Sequence, residues 1–238
     1  MSVPKPPINV LYADPTNRWS RNGQQIEYIV LHYVGAVSTA KANAVYLNRD
    51  GNLGWSAHFF TDETGVFQSV PLDESAGHCG VDYSNGRAPF WGKCRNKNSI
   101  GIEMCVKKDA NDNWYIEPET VTRTVALVRW LMQEYGIDIN HVVRHYDVCW
   151  KTCPEPWVRF PEQWQAFKKR LTEEEEEDMV RFKTIEEVPE TLRPETEKLI
   201  ERGALKGKGG NLGLDVTEDM LRTMIVCQRM VDEDKGGG

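Results

Sequence analysis

A histidine and a cysteine lie eight residues apart in the segment 144–154 of this 238-residue chain. His145 and Cys153 carry the imidazole nitrogen and the thiolate sulfur that zinc favours as ligands, and three protein ligands with one open position are typical of a catalytic zinc site. His32 follows the apolar run 26–31, and a strand end holds a side chain rigidly at the rim of a sheet. These residues predict a Zn²⁺ site built from His32, His145 and Cys153.

Hydrolysis at such a site would use a water molecule whose pKa zinc lowers from about 15.7 to about 7. It also needs a carboxylate that carries the proton and a cation that stabilises the developing oxyanion. Glu103 is the predicted proton carrier, since it lies in the apolar segment 99–106, where an ionisable residue is costly without a task or a partner. Lys151 is the predicted cation. A structural ion pair of Glu103 with Arg144 or with Lys151 stays open as the alternative.

A cysteine peptidase is a competing interpretation of the same residues. Cys149 or Cys153 would then be the nucleophile, with His32 or His145 as its base. The position of Cys153 weakens this interpretation, because a thiol followed directly by proline has no helix N-terminus to lower its pKa.

Charge is divided unevenly along the chain. Residues 1–172 contain 19 Lys and Arg against 18 Asp and Glu, whereas residues 173–238 contain 10 against 18. The near-neutral first part argues against a nucleic-acid partner, which normally requires a basic face. A run of five glutamates repels itself and stays solvated, so it predicts a linker. The predicted organisation is a catalytic domain over 1–172, an acidic linker over 173–180 and a small C-terminal helical unit over 181–238.

The elements that position the candidate residues follow from the spacing of apolar side chains. The segments 57–61 and 66–70 flank a turn and predict a β-hairpin, and 118–135 has the apolar spacing of a helix that Gly136 ends. The other predicted elements are a helix within 38–48 capped by Ser38, strands over 26–31, 99–106 and 141–144, and a helix over 162–171. The predicted fold class is α/β, with a central mixed β-sheet flanked by helices and a small, mainly α C-terminal unit.

Apolar runs in this chain are short. None approaches the roughly 20 residues needed to span a membrane, so no membrane insertion is expected. Residues 1–7 have no apolar segment of the kind found in a secretory signal peptide. We therefore expect the protein in the cytoplasm of the cell that makes it.

Several segments between residues 28 and 154 follow one known pattern in order. They are 28–33, 56–59, 77–78, 99–105, 142–147 and 151–154. Together they resemble the zinc-dependent N-acetylmuramoyl-L-alanine amidases of the amidase-2 family, which share a fold with the peptidoglycan recognition proteins. Segment 99–103 resembles the phage and prophage endolysin branch in particular.

This resemblance implies roles for individual residues. Residues at the positions of His32, His145 and Cys153 bind zinc in the family, and those at Glu103 and Lys151 complete the site. The resemblance also places His78 on the rim of the cleft, where it would bind substrate.

The implied reaction is hydrolysis of the amide between N-acetylmuramic acid and L-alanine in bacterial peptidoglycan, after release of the enzyme from the host cytoplasm. Ala57 departs from the recognition proteins and their phage-lysozyme relative, which have a catalytically important tyrosine there; Glu103 would replace it functionally. The alternative is a non-catalytic peptidoglycan-binding protein. Such proteins lack the metal-binding cysteine, so Cys153 disfavours that alternative.

The C-terminal unit resembles a single S-layer-homology-like unit, a class that attaches to secondary cell-wall polymers. Gly203 is the predicted end of one of its helices, and Thr217 is the predicted N-cap of the helix that carries residues 220–224. A helical bundle for homo-oligomerisation or stability is the alternative, because one unit of 58 residues has little core of its own.

Overall fold

The computed structural model describes residues 3–80, 82–172, 181–205, 214 and 216–236. The chain divides into two compact units, Met1–Glu173 and Glu174–Gly238. The division falls at the start of the predicted acidic linker, residues 173–180, which lies outside the described residues. Each unit has its own cluster of buried apolar side chains.

The first unit combines short edge strands with two long central ones. Its strands are β1 (Asn9–Val10), β2 (Trp19–Ser20), β3 (Tyr28–Val37), β4 (Phe59–Thr61), β5 (Val66–Gln68), β6 (Glu74–Ser75), β7 (Ser99–Lys108), β8 (Trp114–Tyr115) and β9 (Val142–Arg144). Its helices are α1 (Ala40–Leu47), α2 (Pro118–Tyr135), α3 (His145–Cys149), α4 (Glu155–Arg159) and α5 (Pro161–Thr172), with 3₁₀ turns at Pro15–Asn17, Asn96–Asn98 and Ile139–His141.

The central sheet has the order β1-β5-β4-β7-β3-β9, with β8 beside β7. The pairs β1–β5, β4–β7, β7–β3 and β3–β9 are parallel, whereas β4–β5 and β7–β8 are antiparallel. The sheet is therefore mixed and packed by helices, which confirms the predicted α/β fold class.

Strand β7 divides its side chains between two environments. Ile102 and Met104 are fully buried in the main core, to which α2 and α5 also contribute. Successive side chains of a strand point to opposite faces of the sheet. Ser99, Gly101 and Glu103 therefore share the other face of β7.

Several local predictions are confirmed and one cap is wrong by a residue. The hairpin is formed by β4 and β5, and α2 ends at Gly136, which has a left-handed φ of 63°. Helix α1 is capped by Thr39, whose side chain accepts from the backbone N–H of Ala42 at 3.1 Å. Ser38, the predicted cap, instead accepts from the side-chain amide of Asn43.

The expected end of a strand at His32 is wrong. β3 continues to Val37, because its pairing with β7 continues past this point: His32 lies beside Glu103 and Tyr33 beside Met104. His32 therefore lies within β3, where its backbone pairs with Glu103 of β7, one residue past the last pair of β3 with β9.

The second unit contains strands β10 (Arg181–Phe182) and β11 (Val216–Thr217), helices α6 (Arg193–Glu201) and α7 (Glu218–Gly236), and a 3₁₀ turn at Ile185–Glu187. The two strands pair antiparallel. Gly203 has a φ of 70° just after α6, and Thr217 Oγ1 accepts from the backbone N–H of Met220 at 3.2 Å. Both predicted helix-end signals are thus confirmed. Across the described ranges, no helix has both the length and the apolar character to cross a membrane.

Candidate metal centre

The three predicted zinc ligands meet in one buried cluster. One ligand atom each from His32, His145 and Cys153 lies within 4.8 Å of the other two. Cys153 Sγ is 3.7 Å from His32 Nδ1, and the His32 and His145 rings contact edge to face with centroids 4.6 Å apart. All three side chains are almost completely buried. In the part of the chain that the structure describes, this is the only such group of metal-ligating residues.

The segment 144–154, which supplies two of these ligands, consists of a short helix and a return of the chain toward its start. It begins with helix α3, whose first turn is capped because Arg144 N donates to Asp147 Oδ2 at 2.9 Å. Trp150 ends α3 in a left-handed conformation with a φ of 63°. The chain then returns, so that Cys153 O accepts from Tyr146 N at 2.8 Å. This return brings the thiol back to the histidine that begins the helix.

Arg144 is occupied by the same cap. Its guanidinium forms an ion pair with Asp147 Oδ1 at 2.8 Å and donates to Trp157 O at 2.9 Å. The structure therefore pairs Arg144 with Asp147, so the alternative ion pair of Arg144 with Glu103 is wrong.

The His145 imidazole has the properties of a metal ligand. Both of its ring nitrogens are buried without a hydrogen-bond partner. Among the described residues only four buried side-chain nitrogen or oxygen atoms lack a partner, and these are two of them. Burial, with the nearby Lys151 and His78, lowers the pKa of His145 to about 3, so the ring is neutral. A buried polar atom without a partner costs about 1–3 kcal/mol. A ligated metal would remove that cost for one of the two nitrogens.

The spacing of the donors also fits zinc. A tetrahedral zinc ion holds a nitrogen and a sulfur ligand about 3.6 Å apart, close to the 3.7 Å between His32 Nδ1 and Cys153 Sγ. Burial raises the pKa of the Cys153 thiol above its ordinary value, and the Glu103 carboxylate adds to this, whereas a hydrogen bond from the Tyr33 backbone opposes it. Metal binding would therefore release a proton from the thiol.

The same protonated thiol argues against the cysteine-peptidase interpretation. A nucleophilic cysteine needs a lowered pKa, but burial raises the pKa of both Cys149 and Cys153. Cys149 Sγ donates to His145 O at 3.6 Å within α3 and is buried. Cys149 is thus a packing residue beside the site.

Glu103 lies at the edge of the cluster on β7. Its Oε1 is 4.0 Å from His32 Nδ1, and its Oε2 is buried without a hydrogen-bond partner. Burial raises the pKa of Glu103 to about 8, while the charge of Lys151 acts in the opposite direction. Lys151 itself is exposed. Glu103 thus lies beside the cluster, and the charge of Lys151 acts on His145 and Glu103; the roles of both stay predictions.

His78 occupies a different place from the expected open rim. It is 8% exposed, and its Nδ1 is 3.1 Å from His32 Nε2. Its other ring nitrogen, Nε2, is 3.1 Å from Ser99 Oγ. The structure thus places His78 directly behind a predicted ligand, and its contact with substrate stays a prediction.

Sequence reasoning missed Ser99 and Gly101 as parts of the site. Gly101 packs so closely against His78 that a Cβ atom at this position would lie 2.6 Å from the ring Cγ. The signal that could have found both residues is the two-residue spacing of Ser99, Gly101 and Glu103, which puts them on one face of a strand.

A protein-family comparison decides which family carries this cluster. The model of the Amidase_2 family, described as N-acetylmuramoyl-L-alanine amidase, matches residues 22–156, more than half of the chain. The chain belongs to this family. The matched region contains all three predicted ligands, Glu103 and Lys151.

Similar curated proteins are N-acetylmuramoyl-L-alanine amidases of Bacillus. CwlL of Bacillus licheniformis is 32% identical over 166 residues, which cover 65% of this chain and 44% of CwlL. BlyA of Bacillus subtilis is 33% identical over 168 residues, which cover 66% of this chain and 45% of BlyA. The chain thus matches less than half the length of either relative.

Solved structures support the same relationship. The catalytic domain of XlyA is 26% identical, covers 70% of this chain and 99% of its own, and superposes with a TM-score of 0.54. A mutant endolysin from Bacillus subtilis is 27% identical and covers 69% of this chain and 98% of its own, again with a TM-score of 0.54. PlyL, at 21% identity and a TM-score of 0.57 over 71% of this chain and 98% of its own, shares the fold.

Proposed function

We propose that this chain is a zinc-dependent endolysin that hydrolyses the amide between N-acetylmuramic acid and L-alanine of bacterial peptidoglycan. The observation that carries the proposal is the buried His32–His145–Cys153 cluster with the unpartnered Oε2 of Glu103 beside it. Membership of the amidase family and the names of the relatives support the choice of this bond. The enzyme would act on the wall after release from the host cytoplasm.

Each side chain of the site has a step it can perform. His32, His145 and Cys153 would hold the zinc ion, which when bound supplies a Lewis acid for the scissile carbonyl and lowers the pKa of water. In its ionised form, which the charge of Lys151 favours, Glu103 would accept the proton of the attacking water on Oε2, which has no other partner, and deliver it to the leaving amine of L-alanine. The Lys151 ammonium would stabilise the negative charge that develops on the carbonyl oxygen.

Metal content tests the proposal directly. We expect about one zinc per chain in the purified protein, loss of turnover on purified peptidoglycan in excess chelator, and recovery when zinc is added. Cys153→Ala should lose both metal and turnover, because it removes one of three ligands. The matched control is Cys149→Ala, a nearby buried cysteine outside the cluster, which should keep about one zinc. Turnover that persists unchanged in chelator or in Cys153→Ala would contradict the proposal.

The non-catalytic alternative predicts a different result. A peptidoglycan-binding protein would sediment with purified walls yet release no new amino groups from them, with or without zinc. That result would replace the enzyme by a binding module while leaving the fold assignment unchanged.

For the C-terminal unit we propose attachment to a secondary cell-wall polymer, with homo-oligomerisation as the alternative. Its own core, with Val188, Leu199 and Leu221 fully or almost fully buried, supports a separately folded unit. The full chain should bind whole cells more tightly than residues 1–172, while both hydrolyse purified walls at similar rates. Equal cell binding by the two would contradict attachment. If light scattering gives the mass of a dimer for the full chain and of a monomer for residues 1–172, oligomerisation is favoured.

A further inference from the structure

A chain of polar contacts joins the backbone carbonyl of Arg95, through Ser99 and His78, to His32 of the cluster. Ser99 Oγ is 2.6 Å from the carbonyl oxygen of Arg95 and 3.1 Å from His78 Nε2. His78 Nδ1 is in turn 3.1 Å from His32 Nε2. Ser99, His78 and His32 are all buried, so these contacts are sheltered from exchange with bulk water.

The first member of this line sets the direction of every hydrogen bond in it. A carbonyl oxygen can only accept, so the single hydroxyl proton of Ser99 is donated to Arg95 O. Ser99 Oγ can then only accept from His78. The proton of the His78 ring must therefore be on Nε2.

The proton position on His78 determines that on His32. In a neutral imidazole only one ring nitrogen has a proton, so with the proton on Nε2 the Nδ1 of His78 has a lone pair. It accepts from His32 Nε2. A neutral imidazole has a single ring proton, so with that proton on Nε2 the Nδ1 of His32 is left bare.

That bare nitrogen is the one that faces the cluster, 3.7 Å from Cys153 Sγ. We propose that Ser99 and His78 are positioning residues, which hold His32 in the Nε2–H tautomer and so keep Nδ1 ready to bind the metal. This role rests on the metal site of the proposed function. It is separate from the substrate contact predicted for His78.

The surrounding structure holds His78 in this chain of hydrogen bonds, called here the Ser99–His78–His32 relay. The backbone N–H groups of His78 and Cys79 both donate to Asn96 Oδ1, at 3.0 and 2.7 Å. On its other side the ring packs against Gly101, where no side chain is present to displace it. Hydrogen-bond partners of a ligating histidine fix its tautomer and orientation, and their loss typically lowers metal affinity about 10–100-fold.

The unmodified protein provides the first test. The full chain has five histidines, so selective ¹⁵N-histidine labelling gives five ring systems that can be assigned by variants. In metal-free protein near pH 7, long-range ¹H–¹⁵N spectra should place the proton on Nε2 in both His32 and His78. A proton on Nδ1 of either ring would overturn the relay. In Ser99→Ala, His78 should lose its single tautomer, because its Nε2–H loses its acceptor.

Zinc affinity, measured by competition with a chelator, gives the second test. His78→Leu should bind zinc about 10–100-fold more weakly. His78→Asn should recover most of this loss, since its amide oxygen can accept from His32 Nε2 near the place of the missing Nδ1. His141→Leu is the matched control: the His141 ring packs against Tyr28 with ring centroids 4.5 Å apart, outside the relay, so zinc affinity should stay near that of the parent.

The outcomes separate this inference from the proposed function. If the parent chain binds zinc and His78→Leu binds it equally well, the relay is wrong and the metal site stands. If the parent chain binds no zinc, the proposed metal site is wrong, and the positioning role that depends on it is wrong as well. Thermal unfolding of each variant, together with the recovery in His78→Asn, distinguishes a lost hydrogen bond from a misfolded protein.

Discussion

The two faces of β7 have different roles: one packs in the apolar core, and the other makes specific polar contacts. On one face, Ile102 and Met104 are fully buried among apolar neighbours. On the other, Ser99 lies beside the Arg95 carbonyl and His78, and Glu103 lies beside His32 of the His32–His145–Cys153 cluster.

The difference shows which interactions position the strand and which determine the positions of individual protons in the site. Burial of apolar surface is non-directional and roughly proportional to area, so it fixes where the strand lies but not which proton is on which nitrogen. The polar face adds that information, because a hydrogen bond has a donor and an acceptor at defined positions. Substitutions on the two faces should therefore separate function from stability.

The largest effect is expected for Glu103→Gln on the polar face. The amide keeps the shape of the side chain but cannot accept and return a proton, so turnover should fall about 10²–10⁴-fold. Zinc content should stay near one per chain, because Glu103 lies outside the ligand set. Metal analysis and initial rates on purified peptidoglycan check this, and loss of zinc would mean that Glu103 is itself a ligand.

The core face should respond in the opposite way. Ile102→Ala should lower the free energy of unfolding of the first unit by about 2–5 kcal/mol, whereas Ile102→Val should cost about 0.5–1.5 kcal/mol. Turnover per folded molecule should stay near that of the parent. Urea unfolding followed by tryptophan fluorescence measures the first quantity. A large loss of turnover at unchanged stability would break the separation between the faces.

A smaller effect is expected for Gly101→Ala, which lies on the polar face without a functional group of its own. The added Cβ would lie 2.6 Å from His78 Cγ, so the ring must move and zinc affinity should fall about 10–100-fold. Gly80→Ala is the matched control, since a Cβ there meets no atom within 4 Å. Equal zinc affinities for the two variants would show that the position of His78 does not matter for the metal.

The sequence predicted the parts of the site that depend on residue type and local pattern. His32 and His145 come together because β3 and β9 are parallel neighbours, and apolar spacing was sufficient to predict both strands. Their predicted role as zinc ligands depends on their side chains alone. The helix over 118–135 was likewise predictable, since its periodicity and its final glycine are both local signals.

What the sequence could not predict depends on register between distant strands. The pairing of His32 with Glu103 and of Val30 with Gly101 joins residues about 70 positions apart, and a shift by one residue would turn every side chain to the other face. The location of His78 behind His32 follows from that register. The continuation of β3 past His32 has the same cause.

Analysis of the new chain ends in digested peptidoglycan tests the central claim most directly. Purified walls would be incubated with the full chain, with the Glu103→Gln variant and with the full chain in chelator. New amino-terminal L-alanine should appear only with the untreated parent, while reducing sugar ends stay at background in all three. New reducing ends without new alanine termini, or alanine release that chelator leaves unchanged, would contradict a zinc amidase at this site.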